Sequence, residues 1–191
     1  MPRVRSRTLV PALLIVAVPL AAQTPAPSKA APEAPPPAAQ LVDEAVAAAK
    51  AEQKNVLVYF SASWCGWCHR FATFLESPDA AGKLMRDNFV VVQLDALESG
   101  AKVAQENPGA RELLDAMSGG ATTGIPFYFV LDGSGKKIAD SLIMPGHRNV
   151  GHPAQPAEVV AFVKQLETTA PRMTAQERRE IGSYLDEMAG R

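Results

Sequence analysis

The chain has 191 residues, enough for one domain of ordinary size or for one domain with tails. Its 47% hydrophobic and 20% charged residues fit a globular protein with a real core. A net charge of −1 leaves no basic excess to hold nucleic acid or an anionic membrane surface.

The N-terminus reads "MPRVRSRTLVPALLIVAVPLAAQ". Arg3, Arg5 and Arg7 precede an apolar run from Leu9 to Ala22, and small residues at Ala21 and Ala22 lead to polar Gln23. This is the pattern of a secretory signal peptide over residues 1–22. The run is shorter than the roughly 18–20 residues that span a bilayer, and Pro11 and Pro19 interrupt it. Contact with a membrane is therefore expected only if the leader stays uncleaved. No cysteine follows the run, so a lipoprotein anchor is excluded. Residues 23–39, "QTPAPSKAAPEAPPPAA", are dominated by alanine and proline and read as a solvated, extended linker. The folded domain is expected to begin near Gln40 and to run to about residue 170.

Within it, Leu41, Val42, Ala45, Val46 and Ala49 recur at helical spacing. "NVLVYFS", residues 55–61, is a short apolar, β-branched and aromatic run that suits a strand buried on both faces. "SASWCGWCHR" follows, and Phe71, Phe74 and Leu75 then recur at helical spacing. Ser77 and Pro78 predict a helix restart, with a cap and a proline at the first helical position. "NFVVVQLD", residues 88–95, reads as a second buried strand, and "GARELLDAM" as a short helix. "GIPFYFVLDGSGKKIADSLI" predicts a β-hairpin in which Asp132, Gly133, Ser134 and Gly135 supply positive-φ turn positions. A Pro- and Gly-rich loop leads to a helix over "PAEVVAFVKQLE". A last helix, within residues 171–191, opens with a capping box at Thr174 and Glu177 and carries a stripe of Ile181, Tyr184, Leu185 and Met188 that should pack on the domain. Two strands joined by a helical crossover should be parallel, and the hairpin adds an antiparallel pair. The expected fold is thus α/β, a mixed sheet of about four strands flanked by helices, with Cys65 at the carboxyl end of a central strand.

Both cysteines of the chain stand two positions apart in "CGWCH". A plain structural disulfide across so short a loop gains only about 2 kcal/mol by chain entropy. Zinc would need His147 and His152 as well, which lie far along the chain in a loop without rigid ligand geometry and read as surface histidines. A c-type haem is the serious rival: C-x-x-C-H matches its attachment pattern, with His69 proximal and a methionine such as Met144 distal. A dithiol–disulfide redox pair explains more features. At a strand-to-helix junction the free N–H groups of the helix favour a thiolate at an exposed Cys65. Cys68, one turn along and less exposed, is placed to resolve a mixed disulfide.

With these residues the chain resembles the thioredoxin family. "VLVYFSASWCGWCHR" is similar to its strand and active-site segment, and "GIPFYFV" to its cis-proline segment, over about residues 40–168. The sequence looks closest to extracytoplasmic reductase-type thioredoxin domains. The resemblance implies a protein thiol–disulfide oxidoreductase, exported to a bacterial periplasm, monomeric, and acting on protein thiols or disulfides with a redox partner protein. Cys65 and Cys68 would be catalytic, joined as the redox disulfide, with Trp64, Gly66, Trp67, Ile125 and Pro126 meeting the partner. On this reading His69 is a helix surface residue, Trp64 packs to shield the site, and no cofactor or metal is required. A thioredoxin-fold binding protein with an incidental disulfide is the remaining alternative. Two positions depart from the family pattern: Tyr59 stands where a buried aspartate is usual, and Gly66-Trp67 replaces Gly-Pro between the cysteines.

Overall fold

Helix α1 (Ala38–Glu52) begins two residues before the expected Gln40. The computed structural model describes residues 34–120 and 123–190, so the expected signal peptide and most of the linker lie outside the described residues. The linker's last prolines belong to the fold because their carbonyls are used. Pro36 O accepts from Asn107 Nδ2 at 2.9 Å, and Leu41 N–H donates to Pro37 O. Gln53 closes α1 in the left-handed region with φ 54, and buried Ala45 and Ala49 let the helix lie close on the sheet.

Strand β1 (Asn55–Ser61) is central. It pairs in parallel with β2 (Phe89–Asp95) and antiparallel with β3 (Phe127–Leu131), which pairs in turn with β4 (Lys137–Asp140). The sheet order is β2-β1-β3-β4. The period of two along β1 sorts its side chains between two cores. Leu57 and Tyr59 join one, while Val56, Val58 and Phe60 join the other. The first core is roofed by α2 (Gly66–Glu76), α3 (Ala80–Asn88), α5 (Pro156–Thr169) and α6 (Ala175–Met188); the second by α1 and α4 (Ala110–Ser118). The last helix packs as expected: Ile181 and Leu185 are buried, with Tyr184 and Met188 against them. Its capping box forms, Thr174 Oγ1 accepting from Glu177 N and the Glu177 carboxylate accepting from Thr174 N.

Three local expectations are corrected. The cap of α3 is Asp79, not Ser77, because Ser77 closes α2 by donating its N–H to Phe74 O. Gly82 explains the tight α2–α3 corner: a Cβ there would lie 2.3 Å from Ser77 O. In the hairpin turn only Gly135 takes positive φ, 83°. The Asp132 carboxylate holds the rest, accepting from Ser134 Oγ and from the N–H groups of Ser134 and Lys136, which keeps its carboxyl below the usual range. Finally, a 3-10 helix at Gly100–Gln105 fills the stretch read only as polar. Among the described residues no helix is long and apolar enough to cross a membrane.

Candidate functional site

β1 ends at Ser61, and four residues later Cys65 is the N-cap of α2, with φ −88° and ψ 96°. An N-cap side chain ordinarily offers oxygen to the free N–H groups of the first turn. Here a sulfur does so: Cys65 Sγ accepts from Cys68 N–H at 3.1 Å. Cys65 and Cys68 are joined by a disulfide, with Cα atoms 5.3 Å apart.

The exposure expected of Cys65 is corrected. It is 4% exposed and Cys68 fully buried, because Ala62 and Ile125 close over the pair. The order of access still favours Cys65, but by little. Ile125 O lies 3.5 Å from Cys65 Sγ, and Phe60 O lies 3.8 Å from Cys68 Sγ. The Ile125–Pro126 peptide is cis, and Ile125 packs against the cysteine pair. Behind Pro126 stands Gly151, with φ 57°, where a Cβ would come 2.3 Å from Pro126 O.

Two tryptophans bracket the bridge. Trp64 is 59% exposed rather than packed over the site, and it is pinned by its Nε1–H donating to Leu97 O at 2.9 Å. Trp67 is 51% exposed, stacked on His152 at 5.9 Å between ring centroids, with the Arg70 guanidinium 5.2 Å from its own ring. Gly66 is not demanded by space, since a Cβ there would meet nothing within 4 Å. His69 lies on the exposed face of α2, its Nε2 3.1 Å from Ser63 O.

The sequence reading missed a latch and a histidine. Buried Glu98 accepts from Ser63 N–H at 2.5 Å and from Ser63 Oγ at 3.0 Å, and Lys102 Nζ donates to the same hydroxyl. These bonds tie the segment before Cys65 to the loop after β2. Nothing in the one-dimensional pattern marks a lone glutamate after a strand as its holder. His152, read as a surface residue, is 5% exposed: it sits under Trp67 and edge-on to Phe71. Burial, with the Arg70 charge nearby, lowers its pKa to about 4, so the ring is neutral at pH 7. Nothing in the sequence around it marked that burial; in the fold the residue before it, Gly151, lies close against Pro126. Among the described residues no group of three His, Cys, Asp or Glu side chains could hold a metal ion.

Tyr59, which stands where the family pattern has a buried aspartate, packs in the core with Phe71 rather than in the cluster around the bridge. Its hydroxyl donates to Gln93 Oε1 at 2.6 Å, its ring meets Phe71 edge-on, and burial keeps the phenol protonated. Beside the disulfide lies a cleft of about 600 Å³, walled by Trp67, Ile125, Pro126, Asn149, His152 and Glu158 among others. The arrangement holds a disulfide at a helix N-terminus, closed over by Ala62 and Ile125 and flanked by exposed aromatic surface.

A family profile described as thioredoxin-like matches residues 38–133. Among solved structures the chain is similar to a disulphide isomerase from Xylella fastidiosa Temecula1, at 22% identity over 79% of this chain and 90% of that one, TM-score 0.46. It is similar to a thioredoxin from Thermus thermophilus at 22% identity over 70% and 83%, TM-score 0.41. It is also similar to the oxidised C-terminal domain of DsbD from Neisseria meningitidis, at 23% identity over 56% and 84%, TM-score 0.39. No curated protein matches the chain.

Proposed function

Because this chain belongs to the thioredoxin-like family, we propose that it is an exported protein thiol–disulfide oxidoreductase working as a reductase. The observation that carries the reading is Cys65 Sγ at the N-cap of α2, accepting the Cys68 N–H. When the pair is reduced, that donor and the helix dipole favour a thiolate on Cys65. The thiolate attacks one sulfur of a partner disulfide, forms a Cys65–partner bond and expels the partner's other sulfur as a thiolate. Cys68, deprotonated in turn, attacks Cys65 Sγ, re-forms the Cys65–Cys68 bond and releases the second partner thiolate. Two electrons pass from the cysteine pair to the partner, and an upstream reductant returns them.

The direction is supported by what surrounds the sulfur. A strong oxidant needs its reduced form stabilised. Here the Ile125 carbonyl, 3.5 Å from Cys65 Sγ, disfavours an anion, and His152 in the adjoining cleft wall is uncharged. Export rests on the Arg-rich start and short apolar run of the leader. Ile125 and Pro126 form the ledge for an extended partner segment, and Trp64, Gly66 and Trp67 its border.

Single cysteine variants in the exporting host test this reading. Cys68→Ala should accumulate covalent protein adducts that reductant dissolves, and Cys65→Ala should trap few or none. Equilibration with glutathione buffers should place the pair nearer about −270 mV than about −120 mV. Equal trapping by both variants, or a potential at the upper value, would refute the assignment of nucleophile or of direction.

A further inference from the structure

Among the described residues, the buried side-chain polar atoms that lack a hydrogen bond are Thr123 Oγ1, Asn149 Oδ1 and His152 Nδ1. All three residues line the cleft beside the disulfide. A buried polar atom without a partner is costly, so three around one cleft point to a ligand that satisfies them. Their chemistry narrows it. Asn149 Nδ2 is spent on Gly124 O at 2.6 Å and Pro126 O at 3.1 Å, so its Oδ1 can only accept. The Thr123 hydroxyl donates freely, and a neutral histidine can carry its proton on Nδ1.

Charge narrows it further. The one acid of the cleft wall, Glu158, is consumed: it accepts from Arg148 Nη1 at 2.8 Å and from the N–H groups of Ala154 and Gln155. Arg148 keeps 56% of its side chain exposed at that pair. Arg70 lies over the Trp67 wall, and no carboxylate among the described residues pairs with it. The surroundings thus offer the Arg70 cation, the exposed part of the Arg148 guanidinium beside its Glu158 partner, two donors and one acceptor. A fully deprotonated inorganic anion such as sulfate supplies no donor for Asn149 Oδ1, and a basic side chain meets like charge.

We propose that this cleft binds an acidic side chain of the partner segment, adjacent to the cysteine presented to Cys65. The carboxylate meets Arg148 and the donors of Thr123 and His152, and a backbone N–H of the same segment meets Asn149 Oδ1. The inference rests on the reading of Cys65 as the thiol that meets protein partners.

The test uses the reduced full chain and short peptides whose single cysteine carries a neutral 2-thiopyridyl disulfide. Cys65 displaces thiopyridone and Cys68 then displaces the peptide thiol, so each turnover oxidises one cysteine pair. The residue beside the peptide cysteine is Glu, Gln or Lys. At low salt the Glu peptide should react about tenfold faster than the Gln peptide, with Lys slowest. The gap should close in about 0.5 M salt. Arg70→Gln, a surface change, should cut the Glu preference by about threefold or more. The paired variant Arg148→Gln/Glu158→Gln, which leaves no unpaired buried charge, should do the same. Equal rates for the three peptides, or a preference that survives both variants, would overturn this inference while leaving the thiol assignment intact. Failure of every peptide to react would instead overturn the reading of Cys65.

Discussion

His152 shows how one buried ring links the site to the stability of the chain. It stacks on Trp67 and meets Phe71, its Nδ1 has no partner, and its pKa falls from 6.5 to about 4. Between those values the unfolded chain binds a proton that the folded one does not, so stability rises with pH there and is lost as pH falls from 6.5 toward 4. The loss approaches about 3 kcal/mol at the bottom of that window, since each pKa unit is worth about 1.4 kcal/mol. Urea midpoints measured from neutral to acid pH should therefore fall less steeply in His152→Phe than in the parent chain. An unchanged slope would mean that the histidine is solvated in solution. None of this was legible in the sequence, where His152 stood in a Pro- and Gly-rich loop beside a second histidine. By contrast Cys65 and Cys68 announced themselves, because their spacing at a strand-to-helix junction is chemistry written in one dimension. The burial of Cys65 was not, because it depends on Ile125, sixty residues away, closing over the sulfur.

At the scale of elements, the helices were legible wherever local pattern and tertiary use agree. The stripe on α6 and its capping box illustrate two contributions of unequal size. Removing the cap with Thr174→Ala deletes the side-chain acceptor for Glu177 N–H and should cost about 1 kcal/mol. Leu185→Ala empties a fully buried position in the core shared with α3 and α5 and should cost about 2–5 kcal/mol. Both costs should appear in denaturant midpoints, with the potential of the Cys65–Cys68 pair unmoved, because α6 lies outside the cluster around the bridge. A Thr174 effect as large as that of Leu185 would show that α6 is held by its end rather than by its face. The elements misplaced from sequence share one cause. Ser77 and the hairpin glycines carry the right turn chemistry, but side-chain oxygens settle where each turn closes. Ser77 Oγ accepts from Asp79 N–H while its hydroxyl donates to the Asp79 carboxylate, and the Asp132 carboxylate accepts from the N–H groups of Ser134 and Lys136. The 3-10 helix at Gly100–Gln105 left no apolar period to read, since none of its residues is buried.

For the whole molecule, redox state and stability are one quantity seen from two sides. Folding and disulfide formation close a thermodynamic cycle, so the oxidised chain is more stable than the reduced one by the amount that folding lowers the potential of the pair. The four-residue loop closed by Cys65 and Cys68 contributes only about 2 kcal/mol through chain entropy, and that term acts on the unfolded ensemble. What remains is set inside the fold. The Cys68 N–H favours a Cys65 thiolate, whereas the Ile125 carbonyl and the closed apolar cap of Ala62 and Ile125 disfavour a charge there. If burial outweighs the single donor, the reduced fold is the less stable one and the protein gives up electrons readily. Thermal unfolding of the oxidised chain and of the chain held in excess reductant should therefore show the oxidised form melting higher. Each 30 mV by which folding lowers the potential adds about 1.4 kcal/mol to that difference. Agreement between the stability gap and the potential measured separately in glutathione buffers would tie the direction of electron flow to the packing around Cys65. A reduced form that melts higher would assign the chain to oxidation instead, because the same cycle then requires folding to raise the potential.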